Sequence, residues 1–326
     1  MKKILTVASA ALLLAACSEK PDYTITGKVN NAELNGKYVY LYEYGSNDAA
    51  PIDSALVENG AFTLKGTQNT TSLRTIRFSE NDVEPRRAAS GETSPFTALL
   101  ALQNSAINVV LDEKYSDVSG TPENDAMLAF QKEIRALREE QEKLEADLKS
   151  EEAEVKRAAE TKYDEFDHQI AEKAYSYIKQ NINNLTSAKL LVDFRYELNE
   201  EQQNDIVASA SEEFKNVPGV QKLIDHLEVL KKVAVGQKFT DFEMADIKGK
   251  THKLSEFVGN GKNIVLLDFW ASWCPPCRRD IPNLVETYKE FKGKGFEIVG
   301  ISLDSKKEAW EKGIKDLNIT WTQLSD

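Results

Sequence analysis

The residues best suited to chemistry are the two cysteines of the segment Cys274-Pro275-Pro276-Cys277. An apolar run predicts a strand before them, and a helix is predicted after them. At the start of a helix the first sulfur lies beside unpaired N–H groups and the positive end of the helix dipole, which lower the pKa of its thiol. We therefore expect Cys274 to attack disulfides and Cys277, which should be less exposed, to resolve the mixed disulfide.

Pro275 and Pro276 should stiffen this turn and remove two N–H donors that would otherwise stabilise the thiolate. Other uses of a cysteine pair fit less well. Zinc needs two more ligands, and neither a second cysteine pair nor a histidine cluster is present. A c-type haem site needs histidine where Arg278 stands, and a structural disulfide over so short a loop gains little entropy. A peroxidatic cysteine needs no partner so close, so we expect a redox dithiol without a metal or other cofactor.

The elements around the dithiol predict an α/β module over residues 235–326. A β-hairpin over 239–254 comes first, and the apolar run 263–267 is typical of a parallel strand covered on both faces. The cysteines open a helix that continues to about residue 292. A strand over 296–303 and a helix over 306–317 follow.

Residues 270–282, WASWCPPCRRDIP, resemble the active-site segment of the membrane-anchored TlpA/ResA-like thiol-disulfide oxidoreductases. The resemblance covers about 235–326. It implies a thioredoxin-like fold and the reduction or exchange of disulfides outside the cytoplasm. Members of this family often serve cytochrome c maturation or general disulfide reduction.

The resemblance also assigns supporting roles. Trp273 is the aromatic residue that packs beside the site, and Asp268 stands where thioredoxin has a buried acid. Burial should raise the pKa of Asp268, so that it could accept the proton of Cys277; a carboxylate solvated at the strand end is the alternative. Asp280 stands where many relatives have Glu, and Pro282 should kink the helix.

Thioredoxin-like sites face a loop with a cis-proline that holds the substrate. The last proline here is Pro282, and the sequence stops at Asp326. We therefore expect a C-terminally truncated, incomplete thioredoxin-like domain, with the strand over 296–303 left as an unpaired edge.

The N-terminus has the pattern of an export signal. Two lysines precede an apolar run that is short for a membrane span, and Leu14-Ala15-Ala16-Cys17 resembles a bacterial lipobox. We expect a signal peptide over 1–16 and a tether over 17–21 that is lipidated at Cys17. An ordinary cleaved signal with an incidental cysteine is the alternative. The protein is then a membrane-anchored lipoprotein of the cell envelope, on the periplasmic side.

Two further regions lie between the tether and the dithiol module. Residues 22–119 predict an all-β sandwich or barrel, expected to be antiparallel, with a hairpin around Asn59-Gly60. They resemble an uncharacterised domain found ahead of such modules. Residues 120–234 predict helices. Thr121 should cap a helix of ~35 residues whose apolar seam runs from Met127 to Leu148.

Composition narrows the function further. The chain has 326 residues and a formal charge of −12, which argues against nucleic-acid binding. We expect an enzyme that reduces protein disulfides and receives electrons from a thioredoxin-like or membrane donor. A disulfide oxidase or isomerase with the same residues remains an alternative, as does a non-catalytic lipoprotein that binds a partner or builds a scaffold.

Overall fold

The structure is a computed structural model and describes residues 22–46, 50–86, 88–258 and 264–326. The predicted signal peptide and the tether with Cys17 lie outside the described residues. The chain forms two compact units that divide between Leu230 and Lys231. Within the described ranges no helix is both long enough and apolar enough to cross a membrane.

The first unit begins with two four-stranded sheets that share one apolar core. The strands are β1 (Tyr23–Val29), β2 (Tyr38–Glu43), β3 (Asp53–Leu56), β4 (Ala61–Gly66), β5 (Ser72–Phe78), β6 (Ala98–Leu102), β7 (Ala106–Leu111) and β8 (Asp117–Ser119). One sheet has the order β4-β1-β7-β8 and the other β3-β2-β5-β6. This arrangement confirms the predicted β fold, because alternate residues of strands such as β4 point into the core.

Two details differ from the sequence prediction. Strands β1 and β7 pair in parallel, and all four strands of the second sheet come between them in the sequence. The turn at Asn59-Gly60 has the positive φ angles of a tight hairpin turn. However, β3 pairs with β2 and β4 pairs with β1, so this turn passes the chain between the two sheets.

Among the described residues, six helices follow in the same unit, and a seventh continues to Val233. They are α1 (Pro122–Glu142), α2 (Glu145–Leu148), α3 (Ala153–Gln180), α4 (Leu185–Asp193), α5 (Glu200–Ser209), α6 (Glu212–Lys215) and α7 (Val220–Val233). Thr121 caps α1 as predicted, accepting a hydrogen bond from the N–H of Asn124. The single helix of ~35 residues was a wrong prediction, because α1 ends at Glu142. The buried seam of α1 packs with Ile170, Ala174 and Ile178 of α3, an arrangement that removes more apolar surface from water than one straight helix.

The helices also pack against the β strands, although the sequence predicted two separate regions. The buried Asn124 side chain forms two hydrogen bonds with the backbone of Ala101 in β6. Arg135 of α1 forms ion pairs with Glu92 and Asp117. These contacts satisfy polar groups that would otherwise be buried without partners.

The described residues of the second unit form a five-stranded mixed sheet and two main helices. Its elements are β9 (Glu243–Asp246), β10 (Thr251–Lys253), β11 (Ile264–Trp270), α8 (Pro275–Phe291), β12 (Phe296–Ser302), α9 (Lys307–Asp316) and β13 (Thr322–Ser325). The strand order is β10-β9-β13-β12-β11, and β11, β12 and β13 run parallel. The predicted hairpin is present as the pair β9–β10.

Two predictions about this sheet were wrong. Strand β12 is not an unpaired edge, because the last described residues form β13 beside it. Strand β11 is not covered on both faces. It lies at the edge of the sheet, where Ile264 is 75% exposed and Leu266 is 38% exposed.

Candidate active site

The turn between β11 and α8 carries the two cysteines. Cys274 is the N-cap of α8, and its own N–H donates a hydrogen bond to the carbonyl of Ala271 over 3.1 Å. A disulfide joins Cys274 to Cys277. The pair therefore lies where a strand gives way to a helix, as the sequence predicts, and it is in the oxidised form.

The sulfur of Cys274 also accepts a hydrogen bond. The backbone N–H of Cys277 lies 3.3 Å from Sγ of Cys274. Pro275 and Pro276 open α8 and have no N–H to offer. In a reduced site, the N–H of Cys277 and the positive end of the helix dipole would therefore stabilise a thiolate on Cys274.

The two cysteines differ little in exposure, and both are half-buried. Cys277 packs against the core cluster that contains Trp270 and Ile281. The lower exposure of Cys277 therefore stays a prediction. Its apolar surroundings nevertheless distinguish it from the capping sulfur of Cys274.

An acidic side chain lies on the strand that leads to the dithiol. Burial of Asp268 on β11 raises the pKa of its carboxyl, and the nearby charge of Asp280 raises it further. One carboxylate oxygen, Oδ2, is buried and has no hydrogen-bond partner. The residue directly across the β11–β12 pair is Gly300, which has no side chain to neutralise this acid. The direction agrees with the predicted rise.

Comparison with known proteins places this unit among redox proteins. Residues 235–326 match the model of the AhpC/TSA family. Over 94 residues, the chain is 37% identical to the thiol-disulfide oxidoreductase ResA of Geobacillus kaustophilus and 32% identical to ResA of Bacillus subtilis. Each match covers 29% of this chain, and 52% and 51% of the respective relative. The chain thus spans about half the length of the curated relatives it matches.

The C-terminal unit is a thioredoxin-like domain. The predicted resemblance to ResA/TlpA-like oxidoreductases is confirmed. Among solved structures, a thioredoxin domain of a thiol-disulfide oxidoreductase from Bacteroides vulgatus is 37% identical, with a TM-score of 0.26. That match covers 28% of this chain and 64% of the other.

Two other family models match the chain outside the thioredoxin-like domain. Residues 1–18 match a prokaryotic membrane lipoprotein lipid attachment site. Residues 23–127 match DUF4369, a domain of unknown function. The lipoprotein pattern and the uncharacterised β domain were both expected from the sequence.

Trp273, which the resemblance places beside the site, directly precedes Cys274 and is 68% exposed. Pro282 lies inside α8, as expected. Among the residues that the structure describes, no group of His, Cys, Asp and Glu side chains could hold a metal ion.

The sequence reasoning missed a polar cluster under the dithiol turn. The carboxylate of Asp304 accepts hydrogen bonds from the N–H of Ser272 (2.9 Å) and its hydroxyl (2.6 Å). It also accepts one from the hydroxyl of Ser302 over 3.0 Å. A signal was available, because Ser272 follows β11 and Asp304 follows β12. The carboxyl ends of neighbouring parallel strands lie at the same edge of a sheet.

Proposed function

We propose that this protein is a lipid-anchored thiol-disulfide oxidoreductase that reduces protein disulfides outside the cytoplasm. One observation carries the proposal: Cys274 caps α8. Its sulfur accepts a hydrogen bond from the N–H of Cys277 and forms a disulfide with the sulfur of Cys277. The similarity of residues 235–326 to ResA supports the same class of reaction. The two sulfurs alone can perform this chemistry, so no cofactor is required.

The reaction has two exchange steps. The Cys274 thiolate attacks one sulfur of a substrate disulfide, which forms a mixed disulfide and releases the other substrate sulfur as a thiolate. The Cys277 thiol loses its proton, and we propose Asp268 as the acceptor. The Cys277 thiolate then attacks Sγ of Cys274 and releases the second substrate thiolate. The substrate gains two electrons, and the enzyme is left with the Cys274–Cys277 disulfide.

A further turnover requires a dithiol donor that reduces the Cys274–Cys277 disulfide by the same exchange in reverse. We propose a thioredoxin-like protein or a membrane electron carrier as this donor. The proposed clients are exported proteins with disulfides, including those that pass through cytochrome c maturation. The direction of electron transfer follows from the reduction potential of the Cys274–Cys277 pair. A potential near about −270 mV indicates a reductant, and one near about −120 mV indicates an oxidant.

The test is to trap the mixed disulfide with the full chain, reduced and then mixed with insulin. The variant Cys277→Ser should accumulate a covalent adduct that dithiothreitol releases, because no thiol remains to resolve it. The matched variant Cys274→Ser should form far less adduct. Equal trapping by both variants, or by neither, would exclude the proposed order of attack.

The proposed location depends on a lipid at Cys17, in the segment that matches a lipoprotein attachment site. Two or more acyl chains hold a protein stably on a membrane, whereas one chain holds it only marginally. We expect the wild-type chain to incorporate radiolabelled palmitate and to sediment with membranes. Cys17→Ser should lose the label. Unchanged labelling of Cys17→Ser would contradict lipidation at this residue.

A further inference from the structure

One carboxylate lies beneath the turn that carries the dithiol. Asp304 follows the end of β12, and its two oxygens accept three hydrogen bonds, two from Ser272 and one from Ser302. Its own N–H donates to the hydroxyl of Ser302 over 3.1 Å. Asp304 is half-buried, and these hydrogen bonds orient its carboxylate.

Ser272 is held from more than one direction. Asp304 accepts both of its donors, and Nη1 of Arg278 donates to its carbonyl over 3.3 Å. The backbone of α9 approaches from another side, because a methyl group added to Gly313 would lie 3.0 Å from Cβ of Ser272. The residue two positions before Cys274 is thus fixed by three separate elements of the thioredoxin-like domain.

The contacts of Ser272 affect the reactive sulfur because Ser272 lies in the four-residue turn 271–274, which has few free dihedral angles. Fixing Ser272 constrains Trp273 and Cys274, and the N–H of Cys274 is already bonded to Ala271. The sulfur of Cys274 must face the N–H of Cys277 for that donor to stabilise a thiolate. Small displacements of reacting groups cost large factors in rate.

We propose that Asp304 is a positioning residue for the dithiol. By holding Ser272, it keeps Sγ of Cys274 at the N-terminus of α8, where the thiolate is stabilised and faces the substrate. Asp304 does not itself touch the reacting atoms. The inference rests on the proposed function and assigns a role in it to a residue 30 positions beyond Cys274 in the sequence.

The test compares Asp304→Ala and Asp304→Asn in the full lipidated chain, each also carrying Cys277→Ser, so that Cys274 is the free thiol that reacts. The readouts are the rate of mixed-disulfide formation with oxidised glutathione and the pH profile of Cys274 alkylation by iodoacetamide. Asp304→Ala should slow exchange at pH 7 by about 10-fold or more and shift the alkylation profile to higher pH. Asp304→Asn keeps an oxygen acceptor for Ser272 and should recover most of the rate.

A matched control separates this effect from general destabilisation. Asp241 accepts a hydrogen bond from the N–H of Ser255 over 2.8 Å in the same unit, away from the dithiol. Asp241→Ala removes an Asp–Ser contact of the same kind and should leave the alkylation profile unchanged. Ser272→Ala loses only the hydroxyl contact with Asp304. It therefore still tests the inference if Asp304→Ala folds poorly. It should shift the profile less, in the same direction.

Three results would overturn the inference. The first is an alkylation profile of Asp304→Ala or Ser272→Ala that matches the profile of Asp241→Ala. The second is a shift of the Asp304→Ala profile to lower pH. The third is an exchange rate of Asp304→Asn as low as that of Asp304→Ala. The last two would assign the effect to the charge of Asp304. Trapping with insulin by Cys277→Ser alone provides the separate test of the proposed function. If that trap works while Asp304→Ala behaves as the control does, only the positioning role fails.

Discussion

The backbone N–H of Cys277 lies 3.3 Å from Sγ of Cys274, and it is the first N–H of α8 available to that sulfur. The two preceding helical residues are Pro275 and Pro276, which carry no N–H. An N-cap side chain ordinarily receives such a bond from the second or third helical residue. The prolines leave Cys274 with the later donor.

The variant Pro276→Ala adds a backbone donor at the start of α8. We expect it to lower the pKa of the Cys274 thiol and to make the dithiol more oxidising, because stabilising a thiolate stabilises the reduced form. Thiolate absorbance at 240 nm against pH and equilibration with glutathione measure the two quantities.

Pro282→Ala is the matched control for this prediction, because Pro282 also lies in α8 but well after the dithiol. It should leave the thiol pKa of Cys274 and the reduction potential as they are. An unchanged pKa in Pro276→Ala would mean that the missing donor does not limit the stability of the thiolate.

Asp268 should make stability depend on pH. Burial raises the pKa of the Asp268 carboxyl in the folded state. Its contribution to stability is therefore fully present below the ordinary carboxyl pKa of about 4. The free energy of unfolding then falls as the pH rises through the pKa of the folded state. Asp268→Asn removes this penalty. Urea unfolding should give Asp268→Asn a larger free energy of unfolding than wild type at pH 7. Below pH ~4 the two values should be similar.

The same substitution should impair catalysis if Asp268 accepts the proton of Cys277. We expect Asp268→Asn to slow release of the mixed disulfide by at least about 10-fold, with little change in the first attack by Cys274. Asp280→Asn is the comparison variant: it keeps the Asp268 carboxyl but removes a charge that raises its pKa, so it should slow release much less than Asp268→Asn. Full release rates in Asp268→Asn would exclude the role in proton transfer.

The parts of the site predictable from sequence were those with local causes. The placement of Cys274 and Cys277 follows from residue types within four positions, and the Thr121 cap follows from the residue it precedes. The link from Asp304 to Ser272 spans 32 positions and depends on strand order in the sheet. Residue types alone do not give that order.

The fold shows the same division between local and distant causes. Strand β1 (Tyr23–Val29) lies in the region predicted to be β, because its alternation of buried and more exposed residues is contained within the strand. Its parallel partner β7 comes from a distant part of the chain. The helix of ~35 residues failed for a similar reason, since burial of Ile134 against α3 depends on a chain reversal after Glu142.

Trp273 offers a test of substrate contact. An aromatic side chain that is 68% exposed beside the reactive sulfur can bury apolar surface against a bound protein. Trp273→Ala should reduce the rate with insulin by about 10-fold and change the rate with oxidised glutathione much less. Phe291→Ala, at the far end of α8 and also exposed, should alter neither rate. An equal loss with both substrates would assign Trp273 to the conformation of the turn.

The buried ion pair of Arg135 with Glu92 should be a major determinant of stability in the first unit. The two side chains are 9% and 7% exposed, and the Arg135 guanidinium also donates to the Ser116 carbonyl over 3.0 Å. Removing one partner of such a pair leaves a buried charge, at a cost of about 3–5 kcal/mol. Arg135→Met should lose about that much in urea unfolding at pH 7.

The pH dependence and a second substitution distinguish an unpaired Glu92 carboxylate from lost packing as the cause of this loss. Burial raises the pKa of Glu92, and without Arg135 the acid would rise further. The loss in Arg135→Met should therefore be smaller at pH 4.5, where Glu92 takes up a proton, and Glu92→Gln added to it should recover stability. Arg86→Met, which breaks an exposed pair with Glu113, should change stability by less than about 1 kcal/mol. A loss in Arg135→Met that stays the same at both pH values would point to lost packing and not to an unpaired carboxylate.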